Sequence, residues 1–105
     1  MTMNKIQQAA ADLAQEYSLN APAMARYADM VSEMGELGKE LLLGSNYGTD
    51  KLKITSGTAK ELGDVLFSLA MLANSLDLDL EECFDKAVEK YRKRFKQTGQ
   101  IGSEE

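Results

Sequence analysis

Apolar residues recur along most of the chain at the three- and four-residue spacing of amphipathic helices, and no segment shows the two-residue alternation of a strand. Four helical segments are predicted from this pattern. They run from Asn4 to Tyr17, from Pro22 to Leu43, from Thr58 to Leu76 and from Asp79 to Lys96. The predicted fold class is therefore all-α, with four helices in one chain.

The residues at the helix ends support these limits. Pro22 is tolerated in a first helical turn, and Asp79 with Glu82 three residues later resembles a capping box. Residues 44–57 are rich in glycine, serine and threonine and are predicted to form a long loop. The segment 98–105 is expected to be a frayed tail.

The third helix is apolar on two sides. Its main stripe consists of Leu62, Val65, Leu66, Leu69, Ala73 and Leu76. The opposite side carries Gly63, Phe67, Ala70 and Asn74 instead of charged residues. Such a helix needs packing partners on both sides, which a small four-helix chain hardly supplies. A helical bundle completed by homo-oligomerisation, as a dimer or tetramer, is expected; the alternative is that the other three helices of the same chain cover the third.

Length and composition limit the domain count and the chemistry. A chain of 105 residues fits one domain, 1–105. A net charge of −5 argues against general binding to nucleic-acid backbone, and the absence of histidine excludes histidine bases and the usual His/Cys zinc sites. The single cysteine, Cys83, fits a reducing compartment, and no apolar run is long enough to span a membrane. A cytoplasmic protein without nucleic-acid or membrane partners is expected.

Carboxylates form one stripe on the second helix and a pair on the third. The stripe has intervals of four, three and four residues and consists of Asp29, Glu33, Glu36 and Glu40. The third helix adds Glu61 and Asp64, three residues apart and beside its apolar stripe. Like charges at such spacings repel, and more strongly when they are partly desolvated. A hard divalent cation bound by carboxylate oxygens, Mg²⁺ or Mn²⁺, would remove this repulsion.

Two short patterns favour the metal interpretation. Glu33-Met-Gly-Glu36 and Glu61-Leu-Gly-Asp64 each place two carboxylates one turn apart, with a glycine before the second. Glycine within a helix costs about 1 kcal/mol relative to alanine, so the helix glycines are expected to permit a close approach of the two helices. These glycines are Gly35, Gly38 and Gly63. The approach would unite the four carboxylates.

Two alternatives stay open for the acidic residues. The stripe on the second helix is also compatible with an ordinary solvated surface. Thr58 and Glu61 match the spacing of a capping box, so Glu61 could serve only to cap the third helix.

The pattern of these carboxylates resembles that of a known family, the all-α nucleotide pyrophosphohydrolases of the MazG type. Its signature, Glu-x-x-Glu on one helix and Glu-x-x-Asp on the next, is matched by Glu33/Glu36 and Glu61/Asp64, and the resemblance extends over residues 24–96. It implies Mg²⁺, or Mn²⁺ in its place, held by these four carboxylates. It also implies hydrolysis of (deoxy)nucleoside triphosphates to the monophosphate and pyrophosphate, which removes surplus or non-standard nucleotides.

Attack by water on a phosphorus requires a base. Because the chain lacks histidine, the base is either hydroxide on the metal or a carboxylate, for which Glu36 and Glu40 are the candidates. Two other functions stay open. One is a non-catalytic helical oligomerisation or regulatory module that uses the acidic face to bind a partner. The other is a related pyrophosphohydrolase acting on phosphoribosyl-ATP or dUTP.

The fourth helix carries a cationic stripe with four-residue spacing, which consists of Lys86, Lys90 and Arg94. These side chains are predicted to bind the phosphate oxygens of the substrate. The alternative is that they are solvated and complement the helix dipole. The family often has a lysine, an asparagine and an arginine on this helix, whereas this chain has Ala87, Tyr91 and Arg94 at the matching positions.

Overall fold

A computed structural model describes residues 1–100 and contains four α-helices and no strand in that part of the chain. Helix α1 spans Met3–Glu16, α2 Ala23–Gly44, α3 Ser56–Ser75 and α4 Leu80–Thr98. The predicted all-α class and helix count are confirmed. Across these residues, no helix combines the length and the apolar character that crossing a membrane requires.

Side-chain caps determine where α3 and α4 begin. The Thr55 hydroxyl accepts a hydrogen bond from the Thr58 backbone N–H, and the Thr58 hydroxyl accepts one from the Thr55 N–H. This reciprocal capping box starts α3 at Ser56, so the proposal that Glu61 caps the helix is wrong. Asp79 is the N-cap of α4, and its carboxylate accepts hydrogen bonds from two N–H groups of the first turn.

The C-terminal end of α4 differs from the prediction. The helix includes Thr98 and stops at Gly99, whose backbone is left-handed with φ 73°. Glycine is the usual residue for this kind of helix stop because it has no Cβ to clash. The predicted tail therefore does not include Thr98, and its last part, residues 101–105, lies outside the described residues.

The loop between α2 and α3 is pinned at its base. The Lys53 N–H donates to the Gly44 carbonyl at 3.0 Å, and a Cβ on Gly44 would lie 2.6 Å from the Lys53 carbonyl oxygen. Within the loop, Asn46, Tyr47 and Gly48 have φ values of 48°, 57° and 84°, so three successive residues are left-handed. The predicted loop is confirmed for residues 45–55, whereas Gly44 belongs to α2 and α3 begins at Ser56, two residues before the predicted Thr58. The chain meets itself at Gly44, where only glycine fits.

Helices α2 and α3 pack side by side over most of their length, and we call this pair the α2–α3 hairpin. The glycines expected at their contact are elsewhere: a Cβ added to Gly35, Gly38 or Gly63 would meet no atom within 4 Å. The close approach instead occurs at Gly57, whose Cβ would lie 2.7 Å from a carboxylate oxygen of Glu40. The expectation was therefore wrong for all three glycines, because none of them faces the neighbouring helix.

Helix α1 covers one side of α3. Ala10 packs against Ala70 and Met71 in the buried core, and Phe67 lies at the edge of this cluster. The side of α3 that carries Phe67 and Ala70 is therefore covered by the chain's own α1. For this side, the alternative of coverage within one chain is correct.

Helix α4 is attached to the other helices by its first turn. The Gln7 side chain accepts a hydrogen bond from the Leu80 N–H at 2.7 Å and donates to the Leu78 carbonyl at 2.9 Å. Among residues 1–100, α1 is the one helix with which α4 makes a substantial contact. Phe84 and Phe95, further along α4, are 64% and 57% exposed. Beyond its first turn, α4 therefore projects from the other three helices.

The side of the hairpin away from α1 is apolar and uncovered. Leu62 and Leu76 of the main α3 stripe are 58% and 49% exposed. Asp29 near the start of α2 contacts Ser68 in the later half of α3, and Glu40 near its end lies against Gly57, so the helices are antiparallel. Helical spacing then places Met34 and Leu37 on the same side as this stripe. We call these residues the uncovered face, which consists of Met34 and Leu37 of α2 and Leu62, Val65, Leu69 and Leu76 of α3. The chain exposes 8004 Å², against about 5,800 Å² for a compact chain of this mass.

We expect Gly44→Ala to lower the free energy of unfolding by about 1–3 kcal/mol, because the new methyl group would press on the Lys53 carbonyl. Gly35→Ala is the matched control on the same helix. It adds a methyl group in open space and should raise stability by up to about 1 kcal/mol through helix propensity. Urea titrations followed by circular dichroism measure the free energy of unfolding of both variants. Equal changes in the two variants would contradict the close approach at Gly44.

Candidate metal centre

Two contacts fix how α2 lies against α3. Near the start of α2, the Ser68 hydroxyl donates to a carboxylate oxygen of Asp29 at 3.1 Å. Near its end, the Glu40 carboxylate lies against Gly57 in the first turn of α3. The two helices are therefore antiparallel, and the acidic stripe of α2 faces α3 along the intervening turns.

Between these contacts lies the carboxylate cluster, Glu33, Glu61 and Asp64. One carboxylate oxygen from each residue lies within 4.8 Å of the others, and all three side chains are half-buried. Oxygen ligands on opposite sides of Mg²⁺ stand about 4.2 Å apart, since each bond is about 2.1 Å long. Small side-chain rotations would thus bring the three oxygens around one ion. Three of the four predicted ligands are brought together.

The electrostatics of the cluster also fit a cation. The pKa of Glu33 is raised above its ordinary value because partial burial desolvates the carboxylate, and because Asp64, Asp29, Glu61 and Glu36 surround it with negative charge. A bound cation would reverse the second effect and offset the first.

The other two predicted carboxylates lie outside the cluster. Glu36 is exposed and is not in the group of converging oxygens, although its charge contributes to the raised pKa of Glu33. Glu40 lies beside the N-terminal turn of α3, where the helix dipole favours a negative charge. Glu36 as fourth ligand, and either residue as base, remain predictions.

The cationic stripe does not lie on the hairpin of its own chain, since α4 packs on α1. The Lys90 ammonium is 4.7 Å from the ring centre of Tyr91, and the Arg94 guanidinium is 5.8 Å from it. Lys86 is exposed. The role predicted for these residues in phosphate binding is not tested by this arrangement.

The sequence analysis missed Ser68 and Gly57, which hold the hairpin on either side of the cluster. Both positions could have been found from spacing. Ser68 is one turn after Asp64 and Gly57 is one turn before Glu61, so all four residues share the side of α3 that faces α2.

Without divalent cations, we expect Glu33→Gln to be more stable than the wild type at neutral pH. Because the pKa of Glu33 is raised in the folded protein, ionisation of this carboxyl opposes folding. This destabilisation is absent below the ordinary carboxyl pKa, develops as pH rises through the ordinary and the raised values, and is complete above both. The stability difference should therefore disappear at acidic pH.

Urea midpoints measured in chelator across this pH range test the expectation. Glu89→Gln, which removes an exposed carboxylate from α4, is the matched control and should show little difference at any pH. A gain from Glu33→Gln that is the same at acidic and neutral pH would count against charge repulsion as its cause.

Comparison with known proteins assigns the chain to a family. The model of the MazG nucleotide pyrophosphohydrolase domain matches residues 5–99. The chain is also similar to a Bacillus subtilis (strain 168) protein, YpjD, which is described as uncharacterized. The two are 41% identical over 76 residues, which cover 70% of this chain and 67% of YpjD. No solved structure gives a significant match. The chain belongs to the MazG nucleotide pyrophosphohydrolase domain family.

Proposed function

We propose that this protein is a cytoplasmic enzyme that hydrolyses (deoxy)nucleoside triphosphates to the monophosphate and pyrophosphate and so removes unwanted nucleotides. The observation that carries the proposal is the convergence of three carboxylates, Glu33, Glu61 and Asp64, in a chain of the MazG family. In water, nucleoside triphosphates exist as complexes with divalent cations. A site with several carboxylates suits such a complex better than the free triphosphate anion.

The carboxylate cluster would hold Mg²⁺, or Mn²⁺ in its place, with Glu36 as a fourth ligand one turn from Glu33. When bound, the cation neutralises the triphosphate oxygens and makes the phosphorus more electrophilic. The distances and charges of the cluster support this assignment, because oxygen ligands of this number and spacing are those that such ions prefer.

The proposed base is a carboxylate. Of the two candidates, Glu36 has the more suitable surroundings, because it is exposed to water and close enough to Glu33 to affect its pKa. Glu40 instead lies against Gly57 in the first turn of α3, outside the group of converging oxygens. Glu36 would take the proton from the water that attacks the α-phosphorus. The assignment of the attack to the α-phosphorus is also supported by the sequence. The sequence lacks the Gly-x-x-x-x-Gly-Lys-Ser/Thr loop that is typical of γ-phosphate chemistry.

We expect Glu61→Gln to slow hydrolysis about 100- to 1000-fold, the scale seen when one group that stabilises transition-state charge is removed. The amide keeps the side-chain volume, so circular dichroism should show an unchanged helix content. Pyrophosphate release should be screened over the common nucleoside triphosphates, dUTP and phosphoribosyl-ATP. In water enriched in ¹⁸O, the label should enter the monophosphate.

Other outcomes would identify the remaining alternatives. Orthophosphate as the first product would exclude a pyrophosphohydrolase. A wild-type protein whose melting temperature does not respond to Mg²⁺ or Mn²⁺, and which hydrolyses none of these substrates, would instead support the non-catalytic module.

A second copy of the chain is the proposed cover for the uncovered face. Within residues 1–100 the buried apolar residues are few and mostly small: Ala10, Ala70, Met71 and Ala73. So small a core gives little stability to a chain of this length, whereas pairing two uncovered faces would bury leucines from both copies. This is the contact through which we propose a dimer or tetramer forms.

We expect Leu69→Arg to weaken self-association, because it would place an unpaired charge at the centre of this contact. Light scattering and sedimentation at micromolar concentration provide the measurement. Leu78→Arg is the control, since Leu78 is an exposed leucine in the turn before α4 and not on the uncovered face. A wild type that is monomeric under these conditions would contradict the proposed assembly.

A further inference from the structure

A cavity opens at the corner where α1, α2 and α3 meet. Its volume is about 670 Å³, which is in the usual range for a small-molecule site. Its apolar walls come from Ala11 and Ala14 of α1, Pro22 before α2 and Met71 of α3. A ligand in this cavity would therefore contact three helices and the connection between α1 and α2.

The cavity lies on the same line as the carboxylate cluster. On α2, Arg26 of the cavity is seven residues before Glu33. On α3, Met71 is seven residues after Asp64, and Ser68 lies between them. Residues seven apart share one side of a helix and are separated by about 10 Å along its axis. This length is comparable with the distance from the α-phosphorus of a nucleotide to the far edge of a purine base. A nucleotide whose phosphates lie at the carboxylates would thus place its base in the cavity.

A half-buried arginine provides the charge in the cavity. Within the described part of the chain, Arg26 is the one charged residue that lines it. One N–H group of its guanidinium donates to the Leu19 carbonyl, which orients the side chain. A guanidinium has five N–H donors in a planar fork and no acceptor, so donors remain for a ligand. The cavity therefore suits a planar group that presents two neighbouring acceptors.

One class of nucleobase has this pair of acceptors. The 6-oxopurines, such as guanine and hypoxanthine, carry O6 and N7 on one edge, at the spacing that an arginine fork matches. Adenine has an amino donor in place of O6, and an arginine cannot accept a hydrogen bond from it. Pyrimidines lack N7. An arginine in a base cavity thus favours 6-oxopurines over the other bases.

We propose that Arg26 selects 6-oxopurine nucleotides by donating hydrogen bonds to O6 and N7 of a base held in this cavity. The inference rests on the proposed hydrolase function and names the class of nucleotide that the site takes. Arg26 determines specificity and has no part in the cleavage of the phosphate bond. Its replacement should therefore change which nucleotide is preferred without stopping hydrolysis.

Values of kcat/KM for GTP, ITP and ATP with Mg²⁺ test the proposal. The wild type should prefer GTP and ITP over ATP about 5- to 150-fold, the discrimination that one bidentate arginine–base contact provides. Arg26→Lys keeps the positive charge but has no planar fork, so this preference should be lost while hydrolysis of ATP is unchanged. The matched control is Arg92→Lys, the same replacement at an exposed position of α4, which should keep the preference.

A structural role for Arg26 gives a different result. If the residue only held the connection between α1 and α2 through Leu19, Arg26→Lys would lower the melting temperature and slow the hydrolysis of all nucleotides equally. That outcome would overturn the proposal, as would a preference for GTP that survives in Arg26→Lys.

A modified nucleotide tests the contact without a change in the protein. 7-Deaza-GTP has a C–H group in place of N7 and so lacks one of the two acceptors. The wild type should hydrolyse it at least about fivefold less efficiently than GTP, whereas Arg26→Lys should not distinguish the two. Equal efficiencies in the wild type would overturn the proposal, even if Arg26→Lys failed to fold.

Binding measurements separate this inference from the proposed function. If the wild type hydrolyses no nucleotide, the binding of GMP and of AMP in the presence of Mn²⁺ is measured by calorimetry. Tighter binding of GMP that is lost in Arg26→Lys would support the inference without catalysis, and equal affinities or no binding would overturn it. Hydrolysis of GTP and ATP with equal efficiency would instead support the proposed function and overturn the inference.

Discussion

Repulsion among carboxylates on the facing sides of α2 and α3 is the constraint on which the rest of the molecule depends. The hairpin holds Glu33 opposite Glu61 and Asp64, and Asp29 and Glu40 contact α3 on either side of this group. In the absence of a cation, each of these charges raises the free energy of the folded state. Helix packing must supply the free energy that keeps them together, and it comes from apolar surfaces elsewhere in the chain.

Those apolar surfaces are distributed unevenly. Helix α1 closes one side of α3 with small residues, Ala10 and Ala70, which let the two helices approach but remove little apolar area from water. Several large apolar side chains remain exposed, among them Leu62 and Leu76 of the uncovered face and Phe84 and Phe95 of α4. A protein built in this way gains stability from anything that binds its native state, so a cation at the carboxylates or a second copy on the uncovered face would contribute directly to folding.

The sequence was sufficient to predict the four helices and the convergence of Glu33, Glu61 and Asp64, because both follow from spacing along the chain. It did not show that Glu36 lies outside this group. Which side of α3 meets α1 depends on the packing of separate helices, and the sequence does not determine it locally; that α1 covers the side with Phe67 was therefore not predicted. The start of α3 was ambiguous because Thr55 and Thr58 offer two overlapping capping patterns. The helix glycines led to a wrong expectation of where α2 and α3 approach each other. A glycine in a sequence indicates backbone freedom, but it does not indicate the direction from which a neighbouring helix approaches.

The pinned loop between α2 and α3 has a consequence for how the chain can change during evolution. Because Gly44 and Lys53 close the loop, residues added between them would only lengthen an exposed loop. The entropic cost of closing the loop would rise by about 0.6 kcal/mol for each doubling of its length. A single residue added within α3, between Gly57 and Glu61, would instead turn Glu61 and Asp64 by about 100° relative to the first turn that lies against Glu40. The two carboxylates would then point away from Glu33. Insertions should therefore be tolerated within the loop and eliminated within the first turns of α3.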